Sequence, residues 1–269
     1  MTGALQLADG APRALLVCIH GGGCNRLYFD LKGYSVAAAA RERGFAVLLV
    51  DRPGHGASEK PATGRPIEEA ASLLVPFVAQ VRQAHGLGDA PVALLGHSIG
   101  GAVAIMAAGA AGDFPIAGVA ASAIGNRASP EAEIWFAQVL EGAGSPQPPA
   151  SFFFGPENTY DWRGPAALRR CGETWQHADV LEIMGEWPGR FRRIAARVRV
   201  PVHLRLAEHE HIWDNRAAAI QDMAGCFRAA PEADAGLLPG GGHLYEVHRR
   251  GHELVAAQLD FVERCVTGR

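Results

Sequence analysis

Gly96-His97-Ser98-Ile99-Gly100-Gly101 follows the short apolar run 92–95 and opens the helical pattern 100–111. A serine set between small residues where a strand turns sharply into a helix is held in a strained backbone, with its hydroxyl lifted above the sheet edge. Side chains at 96 and 100 must be small because neighbouring backbone comes close. The helix that follows brings its free N–H groups and the positive end of its dipole to the serine. Ser98 is therefore the candidate nucleophile.

Working outward, the same alternation recurs. Apolar runs at 14–19, 45–50 and 116–122 read as buried strands, and 34–43 and 67–85 read as helices. After residue 193 it resumes with strands at 200–206 and 236–238 and helices at 215–226 and 249–266. Continuous apolar strands separated by helices predict a mostly parallel sheet covered by helices on both faces. Between 126 and 193 the pattern changes: prolines multiply, and four of the five tryptophans (Trp135, Trp162, Trp175, Trp187) fall here with Phe152-Phe153-Phe154. Short helices are expected at 131–141, 164–176 and 178–186. The predicted organisation is a core of 1–125 and 194–269 with a helical lid, 126–193, inserted into it.

Three further motifs stand in order along the chain. His20-Gly21-Gly22-Gly23 follows the first buried strand. Asp51-Arg52-Pro53-Gly54-His55-Gly56-Ala57-Ser58 follows the second. Gly240-Gly241-Gly242-His243 follows the last. With the serine motif, they make the chain resemble the α/β-hydrolases over nearly its whole length. That resemblance implies an α/β-hydrolase fold and an oxyanion hole formed by the backbone N–H of Gly22, with Gly23 as a further donor, beside that of Ile99. It gives the 51–58 loop, and His20, His55 and His97, structural roles.

The family order of nucleophile, acid and histidine makes His243 the general base. The acid should follow strand 200–206, where relatives read Gly-x-x-Asp. Here that spacing gives Ala207 and Glu210, so Glu210 is the expected acid, with Asp214 and Glu208 as rivals. Dehalogenases and epoxide hydrolases of this fold carry aspartate at the nucleophile position, so Ser98 points to acyl chemistry instead.

Composition narrows the remaining classes. With 48% hydrophobic residues and a net charge of −3, the chain can bury a core and has no basic block suited to nucleic acid. Nearly all basic residues are arginine, with lysine only at 32 and 60. The five cysteines are widely spaced, which predicts neither a disulfide framework nor a zinc site. That cysteine usage suits a reducing cytoplasm, where the protein is expected; no signal peptide or membrane-length apolar run is recognisable, and with no metal or dinucleotide motif no cofactor or metal is expected.

The substrate is less defined. Trp135, Phe136, Phe153, Phe154 and Trp162 could hold a bulky apolar acyl group, or form the lid's own small core. Arg190, Arg192, Arg193, Arg197, Arg199 and Arg205 could dock an acidic carrier protein bearing a phosphopantetheine arm, or form a solvated face. Within the family, the chain resembles small enzymes of natural-product clusters, in particular the acyltransferases of thiopeptide side-ring assembly such as that of nosiheptide. That implies transfer of an indolyl-type acyl group from a carrier-protein thioester to a thiol of a peptide acceptor. The alternative is an esterase or thioesterase acting on a small aromatic or hydrophobic (thio)ester. A third class is a ligand receptor on the same scaffold.

Overall fold

The computed structural model describes residues 1–88, 90–142 and 148–268. Among these, seven strands form one sheet: β1 (Thr2–Gln6), β2 (Leu15–Ile19), β3 (Ala46–Asp51), β4 (Val92–His97), β5 (Ile116–Ser122), β6 (Val202–His209) and β7 (Ala233–Gly242). Their spatial order is β1-β3-β2-β4-β5-β6-β7, parallel throughout except for β1 against β3. The central strands are buried on both faces, as their unbroken apolar runs require. Strand β1 escaped the sequence reading. It is a half-buried antiparallel edge strand, so it carries no continuous apolar run.

Alternate residues of the strands feed two cores. Leu15, Val17 and Ile19 of β2 pack towards α2 (Pro66–Ala84), α3 (Ile99–Ala110) and the later helices α8 (Trp187–Ala195) and α9 (Ala217–Ala224). Leu16 and Cys18 pack towards α1 (Val36–Glu42) and α10 (Gly251–Thr267). This period-two division places helices on both faces of the sheet.

A helical insertion runs between β5 and β6. It contains α4 (Pro130–Leu140), α5 (Ala150–Phe154), α6 (Arg163–Leu168), α7 (His177–Val180), a π-helical turn Leu181–Glu186, and α8. Residues 143–147 of the expected lid lie outside the described residues. The helix expected over 164–176 ends at Leu168 because the following backbone finds partners outside the helix. Asn25 N–H donates to the Cys171 carbonyl at 3.1 Å and Glu173 N–H to that of Gly23 at 2.8 Å. Helix α8 lies beyond the helix expected over 178–186; it follows the π-helical turn directly, with Pro188 in its first turn, where proline is tolerated.

The insertion also completes the core. Helix α2 has no side-chain cap of its own, and the buried Glu182 carboxylate accepts the N–H groups of Ile67 (2.8 Å) and Glu68 (2.9 Å) instead. An acid at a helix N-terminus satisfies orphan donors and opposes the helix dipole.

Candidate active site

Ser98 caps α3 with φ 52° and ψ −122°, a conformation rare for a residue with a side chain. The surroundings enforce it. A Cβ on Gly100 would lie 1.9 Å from the Ile19 carbonyl oxygen, and one on Gly96 would lie 2.3 Å from that of Gly100. Neither position tolerates any other residue without moving the backbone. The turn delivers Ser98 to the carboxyl ends of the parallel strands, where open α/β sheets place their ligands.

His243 immediately follows β7. Its Nε2 stands 3.0 Å from Ser98 Oγ, and its Nδ1 stands 2.9 and 3.0 Å from the two Glu210 carboxylate oxygens. Glu210 also accepts the Ile212 N–H at 2.9 Å. The register between β6 and β7 shifts just before residue 209, next to Glu210. The rivals are engaged elsewhere: Asp214 pairs with Arg216 at 2.7 Å, and Glu208 accepts the Gly240 N–H at 2.7 Å.

A second Ser/His/Glu array lies deeper. Ser122 Oγ donates to Glu246 at 2.8 Å, and His97 Nδ1 lies 3.2 Å from Glu246 and 3.3 Å from Ser122. Tyr28 adds a hydroxyl donor at 2.7 Å. Burial pushes the Glu246 carboxyl up, but His97 beside it and the hydrogen bonds from His97, Tyr28 and Ser122 bring it down to about 2. The two arrays differ in wiring. In the first, the ring bridges serine and carboxylate through opposite nitrogens, which is what proton transfer requires. In the second, one nitrogen faces both partners, and the serine hydroxyl is already engaged as a donor to the carboxylate.

The first array opens on a cavity of about 310 Å³ lined by Gly22, Gly23, Cys24, His97, Ser98, Phe153, Phe154, Pro165, Leu168, Arg169, Gly172, Trp175, His243 and Leu244. Gly22 and Gly23 thus border the serine, and Ile99, as the first residue of α3, has an amide with no helical acceptor behind it.

Of the aromatic candidates, Phe153 and Phe154 line the cavity. Trp135 stands one layer back, against Trp175 and Phe152. Phe136 faces Gly185 within the insertion. Trp162 is 75% exposed and stacks with Arg163. Trp175 is the wall that the sequence reading left out. Its indole fills the space beside Gly23, whose φ of 62° and missing Cβ make the contact feasible. The tryptophan density of the insertion was the available signal, but nothing in it distinguished Trp175 from its neighbours.

The arginines lie away from the serine, and three of the six are paired. Arg190 pairs with Glu68, Arg192 with Asp222 and Arg205 with Asp234. Arg193 and Arg197 border a depression beside Gly109 and Ala110. That is the far end of α3, about 16 Å from Ser98 at the usual helical rise.

Comparison with known proteins agrees with this architecture. The alpha/beta hydrolase family model matches residues 16–257, and the chain belongs to that family. It is an enzyme of the serine-hydrolase type. No curated protein matches it in sequence. Among solved structures, it is similar to a monoacylglycerol lipase of Paleococcus ferrophilus (20% identity, TM-score 0.70, all of both chains covered). A thermophilic esterase of Thermogutta terrifontis matches at 19% identity and TM-score 0.69, covering 98% of this chain and 94% of that one. An enol-lactonase of Burkholderia xenovorans matches at 18% and 0.71, covering 97% and 96%. At these identities the likeness establishes the fold. No helix among the described residues is long and apolar enough to cross a membrane.

Proposed function

We propose that the protein hydrolyses small hydrophobic or aromatic carboxylic esters or thioesters through an acyl-enzyme on Ser98. The observation that carries this reading is the chain Ser98 Oγ–His243–Glu210 opening on a largely apolar cavity. Ser98 Oγ attacks the acyl carbon while His243 Nε2 takes its proton, and Glu210 holds the ring through Nδ1–H. The tetrahedral oxyanion is met by the N–H groups of Gly22 and Ile99, with Gly23 adjacent. The bond to the leaving group breaks as His243 returns the proton to it. Water then attacks the acyl-enzyme, again giving its proton to His243, and the carboxylic acid departs from a regenerated serine.

Phe153, Phe154, Leu168, Trp175 and Leu244 would seat the acyl group. Transfer to a thiol of a peptide, with delivery by a carrier protein, uses the same residues. The arginines that would have docked a carrier are largely paired or lie at the far end of α3, so hydrolysis is the better-supported reading.

Intact-protein mass spectrometry after a fluorophosphonate probe tests the nucleophile. One adduct is expected in the parent and in Ser122→Ala, and none in Ser98→Ala. An adduct on Ser122 would overturn the assignment. Turnover of aryl esters, with and without an added alkyl thiol, separates hydrolysis from transfer: release of free acid unaffected by thiol supports the former, and thioester product supports the latter.

A further inference from the structure

The peptide between Gly21 and Gly22 is gripped from behind. Its carbonyl oxygen lies 2.8 Å from His20 Nδ1 and 3.2 Å from Arg52 Nη2. His20 Nε2 accepts the Arg52 backbone N–H at 3.2 Å, so the Nδ1 must carry the proton and donate to Gly21. Burial, with the Arg52 cation alongside, keeps the His20 imidazole neutral by pushing its pKa well below the ordinary value. A trans peptide is planar, and its N–H points opposite to its C=O. With the carbonyl turned towards His20 and Arg52, the Gly22 N–H is turned the other way. Gly22 and Ser98 both line the cavity.

The guanidinium making this contact is fully buried, as is the carboxylate that balances it. That carboxylate belongs to Asp179 on α7 of the helical insertion, at 3.1 Å from Nη1 and 2.8 Å from Nη2. His55 Nε2 lies 3.2 Å from the same carboxylate. Burial alone would raise the Asp179 carboxyl, but Arg52 and the hydrogen bonds outweigh it and hold it well below the usual carboxylate range. A cation of this kind needs a buried counter-charge to stay in place. Bonded to a peptide carbonyl, it also polarises the amide and strengthens the N–H at the other end.

We propose that Asp179 and Arg52 are positioning residues for the oxyanion hole: the insertion supplies the carboxylate that seats Arg52, and Arg52 aims the Gly22 N–H at the developing oxyanion. Seating of the insertion and stabilisation of the transition state are thereby one event. The proposal rests on the Ser98 reading above. It makes residues 30 or more positions away from any reacting group control the chemical step.

The test compares Asp179→Asn and Arg52→Lys with the parent in two measurements, made well below each variant's melting temperature. These are kcat and KM on an aryl ester, and the affinity for phenylboronic acid, whose tetrahedral serine adduct places an oxygen in the oxyanion hole. The expected result is a fall in kcat of roughly 100-fold, as for loss of one oxyanion donor, with KM little changed and boronate affinity falling in parallel. Asp179→Glu should recover part of both. Unchanged kcat and boronate affinity in a folded variant would overturn the proposal, and so would a kcat loss without a boronate loss. If Asp179→Asn does not fold, Arg52→Lys, which keeps the buried charge pair, carries the comparison. Failure of the underlying reading looks different: Ser98→Ala would then retain turnover.

Discussion

The rings of His97 and His243 meet edge to face with centroids 5.2 Å apart, yet each serves a different serine. His243 reaches Ser98 on the rim of the cavity, whereas His97 turns its Nδ1 away towards Ser122 and Glu246. Sequence-adjacent residues 97 and 98 therefore belong to two networks, one at the cavity rim and one beneath it. Tyr28, stacked on His97 at 4.7 Å, closes the lower network from the far side.

This division predicts opposite outcomes for two serine-to-alanine changes. Ser98→Ala should lower kcat by about 10⁴-fold or more, and adding His243→Ala should lower it little further, because the two act as a unit. Ser122→Ala should keep turnover within a small factor. It should instead cost about 1–3 kcal/mol of stability, since Glu246 loses a donor in a buried site. Steady-state kinetics and urea melts on the same preparations distinguish the two patterns.

Glu210→Gln should reduce kcat by roughly 10³–10⁴-fold, because an amide can present the wrong group to Nδ1 and leave the ring in the wrong tautomer. Asp214→Asn, which disturbs ion pairs with the exposed Arg216 and Arg127, should leave kcat near that of the parent. Aryl-ester turnover of the pair decides the acid, and the reverse order would transfer the role to Asp214.

Stability should fall on acidification in two stages. His203 is buried, and burial with Arg205 nearby pushes its pKa from 6.5 to about 4, so its neutral form is favoured by folding. The contribution is complete above pH 6.5 and is lost as pH falls towards 4, because the unfolded chain takes up the proton first. Glu246 follows. Its carboxyl drops from 4.5 to about 2 on folding, so its contribution is present above 4.5 and lost as pH falls towards 2. Urea midpoints measured from pH 8 to pH 3 should show both slopes. Glu246→Gln should reduce the lower slope, which Asp179 shares, and His203→Gln the upper one, which His20 shares.

Trp175→Ala should shift ester preference towards longer or bulkier acyl groups, because the indole closes one wall beside Gly23. A panel of p-nitrophenyl esters from acetate to octanoate reads this directly. An unchanged profile with a lower melting temperature would mean that Trp175 only supports the insertion.

The parts of the molecule visible in sequence are those fixed by local chemistry. Residues 96–101 are legible because the elbow excludes large side chains at fixed offsets, and the central strands because burial on both faces forces unbroken apolar runs. Strand β1 gave no such signal, because one face is half exposed and its pairing to β3 depends on distant residues. The expected acid was half legible: spacing pointed to position 210, but its contact with His243 Nδ1 joins residues 33 positions apart on the loops after β6 and β7. Trp175, Asp179 and the Glu246 network were illegible for a shared reason. Their contacts join segments 100 or more residues apart, and each residue type is ordinary where it stands.

One feature of the insertion bears on how such an enzyme could be altered. Its second half is stitched to the core by Glu173 on Gly56 N–H, Gln176 on the Gly54 carbonyl, Asp179 on Arg52 and Glu182 on the first turn of α2. It is therefore not an interchangeable cassette. A chimera that replaced the whole insertion would strand a buried guanidinium and uncap a helix before any substrate was met. Variation confined to the side chains at 153, 154 and 168 would reshape the cavity wall and leave those attachments intact, so selection for new substrates should find its freedom there.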